Sequence, residues 1–165
     1  MSTREEIVPL DPSIALRGGI FIPLNSKGAK LKPAACIFAG SDMNFPFIKR
    51  MRFILEAGFA NCKGESKGLE MQYIPILAGF IYDMPYGSFH IMPKLSLGAT
   101  VVDFKDGEGG SSRSVAATAF IGTGLVYELT ARHLYAGIWP EYSFMRDKGG
   151  ALHGISLTGG ITYRF

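Results

Sequence analysis

The sequence predicts an all-β fold, an eight-stranded antiparallel up-and-down transmembrane β-barrel, and three observations carry that expectation. Apolar residues recur at every second position through nearly the whole chain, which is the period of strands and not of helices. Glycine (21), proline (9), Phe (12) and Tyr (7) punctuate and fill segments of strand length. The connections alternate between polar, Gly/Lys-rich stretches and tight turns, as the two ends of a membrane barrel do.

Composition narrows the classes further. The chain has 165 residues, one domain of ordinary size. Charged residues are 19% against roughly 25% in soluble domains, and hydrophobic residues are 47%, which excludes a disordered chain. No uninterrupted apolar run approaches the ~20 residues that a spanning helix needs. Lys+Arg is 17 and Asp+Glu 14, so the net charge is only +3; without a basic run, nucleic acid is not an expected partner.

Taken in order, 1–13 is expected to be a periplasmic N-terminal segment and 14–165 a single barrel domain. Met1-Ser2-Thr3-Arg4-Glu5-Glu6 is polar and does not form a signal peptide, so the sequence is expected to be a mature chain with an added start. The first strand sets Ile14, Leu16, Gly18, Ile20, Ile22 and Leu24 opposite Ala15, Arg17, Gly19 and Phe21. A weaker second strand, about 31–43, is inferred partly because a cylinder in lipid must close; Cys36 and Phe38 fall on its mixed face. Segment 50–62 sets Met51, Phe53, Leu55, Ala57 and Phe59 against Arg52, Glu56, Gly58 and Ala60. In segment 69–82 the apolar face is taken as Met71, Tyr73, Leu77 and Ile81, against Glu70, Gln72, Ala78 and Phe80. Segment 88–104 opposes Phe89, Ile91, Pro93, Leu95, Leu97, Ala99 and Val101 to His90, Lys94, Ser96, Gly98 and Thr100. The last three strands place Val115 to Leu129, Leu134 to Phe144 and Ile155 to Phe165 on apolar faces, opposite Glu128, Glu141 and Arg164 among others. The polar connections are expected at 25–32, 63–68, 105–113 and 146–150, and the tight ones at 44–47, 84–88 and 130–132.

The pattern by itself also fits a lipocalin-like soluble carrier, which buries its apolar face. Rows of Gly, Ser and Thr with isolated charges suit a narrow polar lumen, and strands of this length exceed the ~9–11 residues of a tilted crossing. Apolar faces turned outward to lipid are therefore preferred.

The final strand, Gly159-Gly160-Ile161-Thr162-Tyr163-Arg164-Phe165, resembles the C-terminal signature of bacterial outer-membrane barrels, alternating and ending in Phe. From about residue 14 the layout is similar to the small eight-stranded group of OmpA-transmembrane, OmpX, OmpW and PagP-like proteins. Tyr73-Ile74-Pro75 through Tyr82 and Met92-Pro93-Lys94-Leu95-Ser96-Leu97-Gly98 resemble OmpW-like proteins in particular. That resemblance implies a bacterial outer-membrane location and contact with outer-membrane lipid and lipopolysaccharide. It also implies recognition of the strand ending in Phe165 by the barrel assembly machinery, and a surface or envelope protein partner met through the loops.

Inside such a barrel, Arg17, Glu56, Lys94 and Glu141 are expected near mid-height, and Arg52, His90, Glu128 and Arg164 nearer the periplasm. Buried charges must be paired, so a salt-bridged plug is the preferred reading, with a gated narrow channel as its alternative. Phe21, Phe38, Phe80, Phe104, Phe120, Tyr135 and Trp139 face inward in this scheme; they either pack the lumen or line an apolar cavity for a lipid or small hydrophobic molecule. Phe47, Tyr73, Phe89, Tyr142, Phe144, Tyr163 and Phe165 fit interfacial girdles. Pro75, Pro93 and Pro140 interrupt strands, and the first two suggest either a weakened hairpin seam or a bulge. His153, Ser156 and Asp147 invite an esterase reading, but parity puts His153 and Ser156 on opposite faces. Cys36 and Cys62 both face inward and could pair in an oxidising periplasmic route, although a hairpin centred near Phe45 puts them several residues out of register, so that a disulfide requires another hairpin geometry. No metal spacing and no cofactor motif is present. The function expected is structural or binding, namely envelope anchoring, loop-mediated interaction or an accessory role. OmpW-like passage of small hydrophobic molecules is the first alternative and a lipid-A-modifying enzyme the second.

Overall fold

In the computed structural model, residues 11–25, 31–105, 110–129, 133–147 and 150–165 are described. Alternation of bulky apolar with small or polar residues extends these stretches into nine strands. They are β1 (Ser13–Asn25), β2 (Ala34–Asn44), β3 (Met51–Lys63), β4 (Glu70–Tyr82), β5 (Met84–Tyr86), β6 (Phe89–Lys105), β7 (Ser111–Glu128), β8 (Leu134–Asp147) and β9 (Gly150–Arg164). Eight are long; β5 is a three-residue ribbon that pairs back onto the start of β6 through a turn with Gly87 at positive φ. Each long strand is antiparallel to its sequence neighbour, and the pairing of β1 with β9 closes the cylinder. No long strand is left with an open edge, which is what a hydrocarbon environment demands of backbone N–H and C=O groups.

The outer face is apolar. Ile14, Leu97, Val115 and Ile121 are 56%, 59%, 66% and 60% exposed, amid a continuous belt of Leu, Ile, Phe and Tyr. A patch of that extent has no counterpart on water-soluble monomers and matches the lipid-facing band of strand-built membrane spans. The lumen carries the charges and small polar residues, the reverse of a lipocalin.

Several expectations need correction. In β4 the inward face is Met71, Tyr73, Leu77 and Ile81, all buried, while Phe80 is 41% exposed and packs edge-on against Phe45 and Phe53 outside the barrel. Directly paired residues share a face, so Leu77 opposite Glu56 and Ile81 opposite Arg52 must enter the lumen with them. Tyr73 consequently leaves the expected girdle, and Phe80 leaves the expected cavity. The β2–β3 connection is Phe45–Arg50, longer than expected, and it re-centres the hairpin so that Cys36 lies opposite Ala60, with Cys62 two residues further along. Both cysteines are free and buried on the lumen side. Strand pairing also runs further than expected at the polar end, through Lys105 opposite Ser111 and Asp147 opposite Gly150. The expected turn at 130–132 lies outside the described residues, as do residues 1–10; β1 begins at Ser13.

Pro75 does not interrupt the expected hairpin. β4 and β6 pair without a gap from Glu70 opposite Lys105 to Ile81 opposite Lys94, where the ladder ends beside Pro93. The pairing gaps lie elsewhere, between Ala57 and Ala60 of β3 beside Pro75 and between Gly122 and Leu125 of β7 beside Pro140. Register is unchanged across both gaps, consistent with a missing donor and not with an inserted residue.

Candidate functional site in the lumen

The lumen is layered. At mid-height Arg17 of β1, Glu56 of β3, Lys94 of β6 and Glu141 of β8 converge, at most 6% exposed. Arg17 reaches Glu56 at 2.5 Å and Glu141 at 3.1 Å, and the Lys94 ammonium contacts both carboxylates. These strands are alternate members of the barrel wall, and strand stagger brings inward residues of alternate strands to a common height. Signs alternate around the ring and sum to zero. The Arg17 guanidinium also stacks over Phe38 at 5.3 Å and Trp139 at 5.1 Å, which fixes its plane.

Towards the termini lies a second charged layer. Arg52 pairs with Asp42, donates to Asn44 Oδ1 at 2.5 Å and to the Asp11 carbonyl at 2.7 Å. Ser13 donates to Asp42 at 2.5 Å. Arg164 donates to Tyr135 Oη at 3.1 Å and to Asp83 at 3.3 Å, and His90 Nδ1 lies 2.7 Å from the same carboxylate. Glu128 sits half-buried opposite Tyr135 and joins none of the ion pairs among the described residues. Asp11, Asp42 and Asp83 were not among the residues singled out from the sequence. Asp42 shares the parity of Cys36 and Phe38 and was legible on that ground; Asp11 and Asp83 lie just beyond strand ends, where parity gives no direction.

Between the two layers is a cavity of about 20 Å³, lined by Arg17, Asp42, Glu56, Tyr135, Trp139 and Arg164 among others. That is room for one or two waters. Towards the polar loops the lumen is filled. Phe21 stacks on Tyr73 at 4.9 Å, Tyr73 on Phe120 at 6.5 Å, and Phe38 meets Phe120 edge-on at 6.0 Å. Cys36, Cys62, Met71, Leu77, Met145 and Leu152 pack around them, with Phe104 partly buried against the cluster. The expected apolar cavity is thus divided. Phe21, Phe38 and Phe120 form a packed layer, Tyr135 and Trp139 border the small void, and Phe80 is outside.

Chemistry is not assembled at the other candidate. His153 is on the outer face, hydrogen-bonded to Tyr142, whereas Ser156 is 1% exposed inside the lumen. The barrel wall separates base from nucleophile. The side chain of Asp147 lies outside the described residues. Among the described residues, no three His, Cys, Asp or Glu side chains are grouped to hold a metal.

Comparison with known proteins places this architecture. No protein-family model matches the chain, and no curated protein matches it. Solved structures do. Neisserial surface protein A superposes with a TM-score of 0.75 at 14% identity, over 93% of this chain and 97% of that one. A major outer membrane protein from Thermus thermophilus gives 0.67 at 10% identity, over 96% and 100%. Ail, the attachment invasion locus protein of Yersinia pestis, gives 0.63 at 15% identity, over 96% and 100%. At such identities the likeness is one of fold, and the fold is that of small outer-membrane barrels.

Proposed function

We propose that the chain is a closed barrel of a bacterial outer membrane whose work is done by its surface and loops, in envelope anchoring, loop-mediated interaction or an accessory role. The observation that carries this reading is the filled lumen. Among the described residues a charge ring and an aromatic layer lie in series across it, and the void on the terminus side of the ring is only about 20 Å³. Passage of a hydrophobic molecule requires a continuous path or a parted wall, and the surface reading is favoured because the strands of the described residues close on one another around a filled lumen. The neighbours lend support, since one is named for attachment and invasion and has been solved with the heparin analogue sucrose octasulfate. On this reading the belt is bathed by outer-membrane lipid and lipopolysaccharide, and the strand ending in Phe165 is offered to the barrel assembly machinery.

The test is reconstitution of the folded chain in planar bilayers. The expected record is a flat baseline without discrete openings, while reproducible conductance steps in the unmodified protein would favour passage over a surface role.

A further inference from the structure

The end of the barrel that carries the termini is sorted by charge. Its acids, Asp11, Asp42, Asp83 and Glu128, lie on the lumen side, and the first three are held by Arg52, Arg164 or His90. The exposed charged side chains among the described residues at that end, Lys49 and Arg50, are both basic. Lys49 and Arg50 belong to the Phe45–Arg50 connection, which is also the most apolar of the turns. Phe47 is 87% exposed and Ile48 46%. Phe47 meets Phe45 edge-on at 5.9 Å, Phe45 meets Phe80 at 6.0 Å, and Phe80 meets Phe53 at 5.8 Å. Four rings therefore run without a break from the outer belt to the tip of the turn.

The turn is built to hold this shape. Phe45 N–H donates to the Met51 carbonyl at 2.7 Å, and Asp83 N–H donates to the Arg50 carbonyl at 2.8 Å. Arg50 sits at φ 68°, a left-handed conformation that a non-glycine residue adopts only where the surrounding turn holds it. Phe47 thus stands exposed beside basic residues and in line with the apolar belt. At a membrane interface an apolar ring at the acyl boundary and a positive charge at the phosphates are a usual combination.

Building on the reading that the belt faces hydrocarbon, we propose that the Phe45–Arg50 turn is an anchor for anionic phospholipid in the leaflet at the terminus end. Phe45 and Phe47 seat in the acyl boundary, while Arg50 and Lys49 engage headgroup phosphates. The continuity of the rings with the belt favours lipid over a protein partner.

The experiment uses the full chain in mixed phosphatidylcholine and phosphatidylglycerol vesicles, with bromine-labelled acyl chains on one lipid at a time. The unmodified chain has one Trp, in the lumen at position 139, and supplies the background. Phe47→Trp reports on the turn, and Leu97→Trp, on the belt, reports on hydrocarbon contact. The expected result is that Phe47→Trp is quenched about twofold more by brominated phosphatidylglycerol than by brominated phosphatidylcholine. Adding Lys49→Gln and Arg50→Gly should abolish that preference; glycine accepts the left-handed backbone, so the turn keeps its shape. Equal quenching by both lipids overturns the anionic preference. Quenching of Phe47→Trp by aqueous iodide alone, with Leu97→Trp still quenched by lipid, means that the turn projects into water for a protein partner and the anchor is wrong. If Leu97→Trp also escapes the lipid quencher, the belt reading fails and takes the anchor with it.

Discussion

Lys94 stands between two buried carboxylates, and the alternation of sign around the ring makes each member's loss unequal to its apparent worth. Lys94→Met would leave Glu56 and Glu141 sharing the Arg17 guanidinium. Breaking a buried pair in this way costs about 3–5 kcal/mol, because the stranded charge and not the lost contact dominates. The expected outcome is a drop of that size in urea-unfolding free energy in phosphatidylcholine vesicles. Adding Glu56→Gln restores neutrality with Arg17 and Glu141 still paired, and should recover roughly half or more of the loss. A loss below about 1 kcal/mol for Lys94→Met would mean the ring is solvated. Two adjacent glycines make a second contrast at this scale. A Cβ on Gly160 would lie 2.2 Å from the Leu16 carbonyl oxygen of the neighbouring strand, a backbone atom that cannot step aside. On Gly159 the nearest such atom is 3.8 Å away. Gly160→Ala should therefore cost about 1–3 kcal/mol, whereas Gly159→Ala should be neutral or gain up to about 1 kcal/mol from the unfolded chain. The same unfolding measurement checks both, and equal effects would contradict the close β1–β9 approach.

At the scale of elements, β4 separates the two sources of information, parity and pairing. Its outward face (Ile74, Ile76, Ala78, Phe80) and its inward face (Tyr73, Leu77, Ile81) are both apolar, so alternation alone gives no direction. The polar residues Glu70 and Gln72, which suggest a lumen face, lie at the polar rim instead, where Asn61 donates to Glu70 at 2.7 Å and Lys105 lies 3.6 Å away. A decisive pair follows. Leu77 is 2% exposed and Ile76 62%. Leu77→Ala opens a hole beside Glu56 and should cost about 2–5 kcal/mol. Ile76→Ala only exchanges one apolar lipid contact for another and should cost under about 1 kcal/mol. Chemical unfolding of the two variants in vesicles gives the order, and the reverse order would restore the face predicted from sequence. The directions of β1, β3, β6 and β8 were legible because one row of each carries an ionisable residue mid-strand: Arg17, Glu56, Lys94, Glu141. Four of the mid-height residues could be placed together for that reason. The partners Asp11 and Asp83 could not, since side-chain direction outside a strand is set by the turn and not by period two. The lengths of the β2–β3 turn and of the polar connections were likewise hidden, because hydrogen-bond register is a property of the pair of strands and not of either one.

For the whole molecule, the layering of the lumen decides what each layer can do. The terminus-side half is charged, whereas the loop-side half is sealed by Phe21, Tyr73, Phe38 and Phe120 with aliphatic and sulfur side chains between them. An eight-stranded cylinder is just wide enough for side chains to fill, so either layer alone suffices to stop ions. The charge ring can loosen, since its members have alternative partners of the right sign within reach. The aromatic layer is the more rigid seal, because its stacked rings leave an ion only a few scattered hydroxyls and no opposite charge to replace its hydration. Two seals in series then give a non-additive outcome. Lys94→Ala with Glu141→Ala should leave planar-bilayer conductance at the baseline of the unmodified protein. Tyr73→Ala with Phe120→Ala should likewise stay silent, the ring remaining closed. Only the four substitutions together, in a chain still showing heat-modifiable migration as a sign of folding, should produce discrete openings. Openings in the first variant alone would place the barrier at the charge ring and make the ring a gate; silence in all three would show that the collapsed walls of so narrow a barrel close it without either layer.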